Sequence, residues 1–469
     1  MTKPATDPGS FRDRESRVFT LDGRLCRALS PTALSEWRFV EQASILHGLI
    51  EARKVVGSRE VEIDPDILAG IGPAFVAALE HEPVPFLSYP YEWSFSMLRD
   101  AAELTLDILD TALAKGGTLK DASAYNVQFR GAEPVFIDLG SFEKYKSGES
   151  WIGYRQFCEM FLFPLMLEAY RGISFQPRLR GCIDGVGTEE MWHTMSVRDL
   201  FRRGVPTHVY LQAKLGRTTA ATKKNVRKDL AASGFSKEMI RHNVASMRKL
   251  IARLRPRASD SHWTAYTDTR SYTQDDTEAK QTFVRRAVDA SRPDLVWDLG
   301  CNTGEFSKLA AETASYVVAM DQDPQAIDRL YRELPAQHSD RILPLVISLT
   351  DPSPDLGWRG TERRSIWHRQ APDMILALAL THHLSIAANV PVRDLMEWFA
   401  GLGGSLVVEF VSKDDPMVEQ LLRNKIDNYS DWQRDVFEAE LARHFEIADQ
   451  VELGSGTRFL YYAHPRALG

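Results

Sequence analysis

From residue 295 onward, apolar runs of strand length alternate with segments of helical periodicity. The first five runs are predicted as strands, at residues 295–300, 316–321, 342–347, 373–380 and 405–411. Two more runs, 446–453 and 458–464, are joined by Gly454-Ser455-Gly456-Thr457, which leaves no room for a helix. Strands separated by helices form a mostly parallel sheet, whereas a tight turn makes its two strands antiparallel. The pattern therefore predicts an α/β domain with a seven-stranded sheet whose last strand is antiparallel.

The N-terminal half has a different pattern, in which short strands and long helices are not regularly interleaved. Residues 17–20 and 24–29 flank Asp22-Gly23, a pair typical of tight hairpin turns. One helix is predicted from Thr32 to about Ala52 and another over residues 95–113, because apolar residues recur there at helical spacing. These elements predict a separate α+β domain.

A seven-residue motif follows the first strand of the predicted sheet, Asp298-Leu299-Gly300-Cys301-Asn302-Thr303-Gly304. Glycine at a strand-to-helix turn lets backbone approach a small ligand. The pattern is neither G-x-G-x-x-G nor a P-loop, which disfavours a dinucleotide or a P-loop phosphate. The motif resembles the first motif of Rossmann-like S-adenosylmethionine-dependent methyltransferases, with Asn302 in place of the middle glycine. Asparagine tolerates positive φ better than other non-glycine residues, so the turn is expected to form.

This resemblance implies a cofactor site at the carboxyl ends of the strands. Asp298 would receive the methionyl ammonium, and Asp321, about 20 residues further on, would accept hydrogen bonds from the ribose hydroxyls. Helix capping is the alternative role for both carboxylates. Asp351 would accept from the adenine amine, or would form a turn with the prolines that follow. The cofactor-binding residues implied are Asp298, Gly300, Cys301, Asn302, Gly304, Asp321, Gln322, Thr350, Asp351, Tyr266, Tyr272 and Lys280.

The fourth predicted strand ends in Thr381-His382-His383-Leu384. Methyl transfer is an in-line displacement that requires alignment of the nucleophile and, for a hydroxyl, removal of its proton. Histidine titrates in a range suited to that base. Because neighbouring residues of a strand point to opposite faces, at most one of the pair would face the pocket. His382 is the preferred catalytic candidate, and packing of both histidines is the alternative.

A second informative stretch lies in the N-terminal half. Asp121 and Asn126 are spaced as in D-x-x-x-x-N, and Asp138-Leu139-Gly140 follows a predicted hairpin. This resembles the catalytic and metal-binding loops of protein-kinase-like and aminoglycoside-phosphotransferase-like folds. The resemblance implies that Asp121 faces a phosphoryl acceptor and that Asn126 and Asp138 hold magnesium. No glycine-rich loop or V-A-I-K strand precedes them, which favours a degenerate binding domain over an active kinase that uses magnesium-ATP. Turn and strand-end roles are the structural alternative.

Composition and charge narrow the range of functions. The 469 residues suit two or three domains, and a formal charge of -7 argues against wholesale nucleic-acid binding. Residues 214–257 are strongly basic, which predicts a solvated helical linker or a docking surface for an anionic substrate or nucleic acid. Four widely spaced cysteines indicate thiols in a reducing compartment. With no apolar signal-like stretch and no run of about 20 apolar residues, a cytoplasmic protein without membrane segments is predicted.

These observations predict four regions: a flexible N-terminus at 1–16, a kinase-like domain at 17–205, a basic helical linker at 206–260 and a methyltransferase domain at 261–469. The whole resembles bacterial methyltransferase-like proteins of the nodulation-associated group. The predicted function is methyl transfer from S-adenosylmethionine to a small-molecule or glycan-like acceptor, with the N-terminal domain assisting acceptor binding. The alternatives are a bifunctional kinase and methyltransferase, and a non-enzymatic scaffold that keeps only the cofactor pocket.

Overall fold

The computed structural model describes residues 3–214, 236–257, 273–334 and 340–466. The chain divides into two compact units. The N-terminal unit comprises residues 1–129, 134–259 and 355–363, and the C-terminal unit comprises residues 130–133, 260–354 and 364–469. The division falls near residue 260, and it assigns residues 130–133 and 355–363 each to the unit that does not contain their neighbours in the chain.

The N-terminal unit contains a five-stranded antiparallel sheet in the order β1-β2-β3-β5-β4. Its strands are β1 (Ala5–Thr6), β2 (Ser16–Leu21), β3 (Arg24–Leu29), β4 (Ser58–Val61) and β5 (Ala77–His81). Asp22 and Gly23, with φ of 50° and 76°, form the turn between β2 and β3, as the hairpin pattern predicts. Phe19, Cys26 and Leu68 belong to the buried cluster of this sheet.

Two further strand pairs follow along the chain. They are formed by β6 (Gly117–Leu119), β7 (Val127–Arg130), β8 (Glu133–Phe136) and β9 (Phe142–Lys144), with β6 paired to β9 and β7 to β8. Short 3-10 helices lie at Pro8–Ser10, Pro90–Glu92, Ala124–Asn126, Leu139–Ser141, Val197–Phe201 and Trp358–Gly360, and π-helical turns at Cys158–Leu162, Leu167–Arg171 and Val205–Tyr210.

The helices of this unit depart from prediction in one place. They are α1 (Pro31–Gln42), α2 (His47–Glu51), α3 (Pro65–Ile71), α4 (Phe95–Ala114), α5 (Tyr154–Phe157), α6 (Phe163–Met166), α7 (Gln176–Gly181), α8 (Thr188–Thr194) and α9 (Lys237–Ile251). The single helix predicted from Thr32 to Ala52 was wrong, since Ser44 has φ of 52° and separates α1 from α2. A left-handed residue cannot continue a right-handed helix.

Helix α9 lies within the predicted basic linker, yet it packs on α4. Ile240 and Val244 are buried on its inner face. Arg241 Nε donates to Asp110 Oδ1 over 2.7 Å, and Arg248 pairs with Asp107 at 3.3 Å. Part of the basic charge is therefore matched by acidic residues of the same unit.

The first residues are also more ordered than a frayed terminus would be. Strand β1 pairs with β2, and Asp7 N donates to Val18 O over 2.9 Å. Arg12 Nε and Nη2 both donate to the carboxylate of Glu362, at 3.0 Å and 2.7 Å. The segment predicted to be flexible is tied to its own unit from residue 5 onward.

The C-terminal unit contains a seven-stranded sheet in the order β12-β11-β10-β13-β14-β16-β15. The strands are β10 (Leu295–Leu299), β11 (Tyr316–Asp321), β12 (Ile342–Val346), β13 (Met374–Ala377), β14 (Ser405–Val411), β15 (Phe445–Glu452) and β16 (Arg458–Pro465). Strand β16 is antiparallel to both its neighbours, and the pairs among β10 to β14 are parallel. The predicted seven-stranded α/β sheet, with its last strand antiparallel, is confirmed.

The helices of the C-terminal unit precede the sheet or lie between its strands along the chain. They are α10 (Gln274–Ser291), α11 (Glu305–Ala310), α12 (Pro324–Glu333), α13 (Val392–Gly401), α14 (Pro416–Leu422) and α15 (Arg434–His444), with a 3-10 turn at Ile366–His368 and a π-helical turn at His383–Ala387. Strands β10 and β13 are buried along their whole length. Central strands of a sheet that is covered on both faces consist of consecutive apolar residues, which explains why these strands could be predicted from the sequence.

Candidate functional site

A cavity of about 370 Å³ lies in the C-terminal unit beyond the carboxyl ends of β10 to β13. Open α/β sheets bind ligands at this edge. The cavity is lined by Thr277, Lys280, Asp298, Gly300, Cys301, Asn302, Thr303, Glu305, Phe306, Asp321, Gln322, Ile347, Leu349, Thr350, Leu378, Ala379, Leu380, His383, Leu384, Ala387 and Ala388. It combines acidic groups and exposed backbone with an apolar wall.

The loop after β10 adopts the conformation that its glycines predict. Gly300, Asn302 and Gly304 have φ of 73°, 52° and 77°, so the asparagine accepts a left-handed conformation in place of a glycine. A Cβ atom on Gly304 would lie 2.5 Å from a methyl carbon of Leu330. Gly304 therefore allows the loop to pack closely against Leu330, whereas Gly300 and Asn302 line the cavity.

Asp298 closes β10 and is almost fully buried beside the loop. Its carboxylate accepts a hydrogen bond from Ser307 Oγ. Burial raises the pKa of Asp298 to about 6, and the negative charge of Asp321 contributes in the same direction. A cationic ligand would stabilise the ionised form of this buried carboxylate, because it would supply the charge compensation that water does not provide there.

Asp321 closes β11 and faces the same loop. Its Oδ2 accepts from Asn302 N over 2.9 Å and its Oδ1 accepts from Asp323 N over 2.8 Å. Burial raises its pKa. Asp323 is the N-cap of α12, so the capping role considered for Asp321 falls to its neighbour.

Four buried charged residues form a group that includes Lys280 of the cavity wall. Lys280 Nζ donates to Glu409 Oε2 over 2.6 Å, and Arg458 Nη1 donates to Glu409 Oε1 over 3.2 Å. Arg458 also donates to Asp415 from Nε, at 2.8 Å, and from Nη2, at 3.1 Å. Two positive and two negative charges are thus paired out of contact with water. We call these four residues the buried charge cluster.

The cluster reaches the turn that follows β13. Ala379 N donates to Glu409 Oε2 over 2.8 Å, and Thr381 Oγ1 donates to Glu409 O over 2.6 Å. Ala379 has φ of 50°, a left-handed conformation that costs a non-glycine residue about 1–2 kcal/mol. Backbone strain of this kind persists where surrounding contacts hold it, and Glu409 provides two of them.

The two histidines occupy different environments. Strand β13 ends at Ala377, so both lie beyond it, where the alternation of strand side chains no longer applies. His383 lines the cavity, whereas His382 is buried behind it with neither ring nitrogen hydrogen-bonded among the described residues. Burial lowers the pKa of His383 to about 4 and that of His382 well below its ordinary value. Both rings are therefore neutral at pH 7.

Most of the implied cofactor residues meet in this cavity: Lys280, Asp298, Gly300, Cys301, Asn302, Asp321, Gln322 and Thr350. Asp351 is exposed and does not line it. Tyr266 and Tyr272 lie outside the described residues.

Sequence reasoning missed three lining residues that adjoin those it identified. Thr277 precedes Lys280 by nearly one turn of α10, and Glu305 and Phe306 directly follow Gly304. Helical spacing from Lys280 would have indicated Thr277. The first turn of α11 could have been included with the glycine loop, because the helix start faces the ligand side in such turns.

In the N-terminal unit, the loop residues singled out by the second motif also lie together. Asn126 Nδ2 donates to Ser141 Oγ over 3.0 Å, and Ser141 Oγ donates to Asp138 Oδ2 over 2.6 Å. Burial and the negative charge of Asp138 raise the pKa of Asp121. A residue that the sequence did not indicate joins them, since Arg27 Nη1 lies 2.9 Å from Asp138 Oδ1.

Three further features concern the part of the chain that the structure describes. There, no helix is long and apolar enough to cross a membrane. Within the same residues, no group of three or more histidine, cysteine or acidic side chains is arranged to hold a metal ion. The four cysteines are free thiols.

Comparison with known proteins gives a relative that matches nearly the whole chain and solved structures that match less than half of it. No protein-family model matches. Among solved structures, the N-methyltransferase NodS from Bradyrhizobium japonicum WM9 in complex with S-adenosyl-L-homocysteine is 14% identical, with a TM-score of 0.31, over 45% of this chain and 94% of its own. A SAM-dependent methyltransferase from Aquifex aeolicus is 17% identical, with a TM-score of 0.28, over 40% of this chain and 93% of its own.

The strand order and the single antiparallel strand described above are those of the class I S-adenosylmethionine-dependent methyltransferase fold, which the C-terminal unit has. The nodulation protein NoeA from Rhizobium meliloti (strain 1021) is 33% identical over 465 residues, which span 98% of this chain and 96% of the relative. Identity of this extent over nearly all of both proteins shows that the chain belongs to the nodulation protein NoeA family.

Proposed function

We propose that this protein is an S-adenosylmethionine-dependent methyltransferase. One observation carries the proposal: a single cavity at the carboxyl edge of a class I sheet brings Asp298, Asp321 and the backbone of the Gly300–Gly304 loop together. These groups fit the cofactor, because the loop leaves room for a ligand against its backbone and the two carboxylates suit an ammonium group and vicinal hydroxyls. Bound S-adenosylmethionine supplies a methyl group on a sulfonium, which an acceptor nucleophile takes in an in-line displacement.

Each of three residues in the cavity suits a different part of the cofactor. Asp298 would receive the ammonium group, since a cation offsets the cost of its buried charge. Asp321 would accept from the ribose hydroxyls through the lone pairs that Asn302 and Asp323 leave available. Thr350 would contact the adenine edge, with the apolar Leu349 beside it.

For proton removal we propose His383 in place of the sequence-based candidate His382. His383 lines the cavity, while His382 lies behind it. The ring of His383 is neutral at pH 7 and can accept a proton from a hydroxyl or amine held in the cavity. The turn at Ala379, fixed by Glu409, sets where the chain enters the π-helical turn that carries His383.

The acceptor is proposed from the name of the relative and from the N-terminal unit. The name of the NoeA relative connects that protein with nodulation, and we propose that methyl transfer by this chain serves the same process. The proposed acceptor is a small or glycan-like molecule, with the N-terminal unit assisting its binding. The order β6, Asp121–Asn126 loop, β7–β8 hairpin, Asp138-Leu139-Gly140 and β9 supports a kinase-like origin for that unit.

Calorimetry with S-adenosylmethionine and S-adenosylhomocysteine tests the cofactor site. We expect Asp321→Ala to lower the affinity by at least about tenfold, since it removes charge-assisted hydrogen bonds. Asp351→Ala, at an exposed position that does not line the cavity, is the matched control and should bind as the wild type does. Equal affinity of wild type and Asp321→Ala would overturn the assignment of this cavity.

Incubation with methyl-deuterated cofactor and mass spectrometry of candidate acceptor pools tests the reaction itself. Label should enter a product with the wild type and not with Asp298→Ala. Tight cofactor binding without any labelled product would instead favour the scaffold alternative. ATP turnover that disappears in Asp121→Asn would favour the bifunctional alternative.

A further inference from the structure

The Asp138-Leu139-Gly140 turn of the N-terminal unit is where its kinase-like resemblance implies a magnesium ion. A magnesium ion needs oxygen atoms that are free to coordinate it in near-octahedral geometry. The carboxylate of Asp138 is already engaged on both oxygens. Oδ1 faces Arg27 Nη1 at 2.9 Å and accepts from Gly140 N at 3.3 Å, while Oδ2 accepts from Ser141 Oγ at 2.6 Å. The residues present therefore do not fit the ion.

We propose that Arg27 permanently takes the place of a divalent cation in the N-terminal unit, which makes this unit a metal-independent module. The inference goes beyond the proposed methyl transfer and concerns the N-terminal unit alone. It holds whether or not the C-terminal unit transfers methyl groups.

The position of Arg27 is fixed from two sides. Besides its pair with Asp138, Nη1 donates to Ser16 Oγ over 3.0 Å, and Ser16 Oγ donates to Asp13 Oδ2 over 2.6 Å. The Arg27 side chain is only 12% exposed. An arginine guanidinium is not deprotonated in proteins, so its positive charge stays beside Asp138.

The surrounding structure makes room for the guanidinium. A Cβ on Gly140 would lie 3.3 Å from Arg27 Nη1, tighter than most real contacts, so the glycine of this turn leaves space for the arginine. His81, which is electrostatically coupled to both Arg27 and Asp138, adds no positive charge, because burial lowers its pKa to about 3. Arg27 is thus the cation that neutralises Asp138 within this group of residues.

The resulting arrangement keeps the loop residues in place without an ion. Asp138 is linked to Asn126 through Ser141, and Asp121 accepts from Ser123 N over 2.9 Å. Arg27 supplies the positive charge that would otherwise be needed to hold acidic side chains together. The unit can therefore preserve a binding surface after losing metal-dependent chemistry.

Binding of Mn²⁺ to the full-length protein, followed by electron paramagnetic resonance, tests the proposal. The wild type should show no Mn²⁺ binding that depends on Asp138. Arg27→Met should gain one saturable site at least about tenfold tighter than any wild-type binding, and adding Asp138→Asn to that variant should remove it. Arg27→Lys, which keeps the charge, should gain nothing.

The matched control is Arg24→Met on the same strand, where Arg24 pairs with Glu80 at the surface. It should leave Mn²⁺ binding as in the wild type. A folded Arg27→Met protein that gains no site would overturn the proposal. So would Mn²⁺ binding by the wild type that Asp138→Asn abolishes, a comparison that does not depend on the folding of the Arg27 variant.

Discussion

Lys280 Nζ donates to Glu409 Oε2 over 2.6 Å, and the exposed fractions of the two side chains are only 4% for Lys280 and 0% for Glu409. The two residues are 129 positions apart in the chain and join helix α10 to the end of β14. Glu409 also accepts from Ala379 N, so the pair connects three elements around the cavity. Losing one partner would leave a buried charge without its compensation.

We expect Lys280→Met to reduce the free energy of unfolding by about 3–5 kcal/mol, because Glu409 would remain buried without its lysine. Urea denaturation of the full-length protein measures this change. Arg285→Met on the same helix is the control, since Arg285 and Glu312 form an exposed pair whose loss should change the stability little. Equal losses for both variants would contradict the role assigned to the buried pair.

Asp298→Asn should stabilise the ligand-free protein at pH 8 while abolishing cofactor binding. The folded pKa of Asp298 is raised to about 6 from an ordinary value of 3.8, mainly by burial. Stability from this group is therefore fully present below about pH 4 and is lost as the pH rises through about 6. The variant has no such loss, and its stability relative to the wild type should increase by up to about 3 kcal/mol between pH 4 and 8.

Urea denaturation at both pH values, with calorimetry of cofactor binding, checks this prediction. Asp294→Asn, at an exposed position before β10, is the control and should show no comparable gain. A relative stability of Asp298→Asn that falls on going to pH 8 would have the wrong sign for a buried, destabilised carboxylate.

Gly304→Ala should be much more damaging than Asn302→Gly. The added methyl group would meet Leu330 at 2.5 Å, and the residue would be held at φ of 77°. Overpacking of this kind typically costs about 1–3 kcal/mol, in addition to the backbone strain. Asn302→Gly keeps a residue suited to φ of 52° and should change stability by less than about 1 kcal/mol. Thermal unfolding of the two variants compares them directly, and a reversed order would refute the loop geometry.

His383 should remain neutral down to about pH 5, because burial lowers its pKa to about 4. Nuclear magnetic resonance of imidazole nitrogens measures this titration. Exposed His47 provides an internal comparison in the same sample. If His383 titrated well above pH 7, its ring would be a cation at neutral pH, and the proposed proton-accepting role would fail.

Local patterns were enough to predict the C-terminal sheet and to point to several residues that line its cavity. Buried strands appear in the sequence as apolar runs. Asp298 and Asp321 lie at the ends of β10 and β11, and Thr350 follows β12 after a short loop, so these positions could be located by counting along the sequence. The left-handed conformation at Asn302 was also predictable, because it depends on residue type and motif position.

Contacts between distant residues could not be predicted in this way. Nothing in the neighbourhood of Arg27 indicates that it meets Asp138, and nothing near Lys280 indicates Glu409. The sequence favoured His382, whereas His383 lines the cavity, and the reason is local. Strand β13 ends at Ala377, earlier than the apolar run through Leu380 suggested, so both histidines lie outside the strand.

Residues 355–363 belong to the N-terminal unit, although β10, β11 and β12 precede them in the chain. During synthesis, the Arg12–Glu362 pair cannot form until residue 362 has left the ribosome. Arg363, whose guanidinium lies 4.1 Å from the centroid of the Tyr125 ring, arrives equally late. Domains generally fold as units during translation. The N-terminal unit therefore stays incomplete until a large part of the C-terminal unit has been synthesised. A gene cut at codon 260 would therefore yield a first product that lacks part of its own fold.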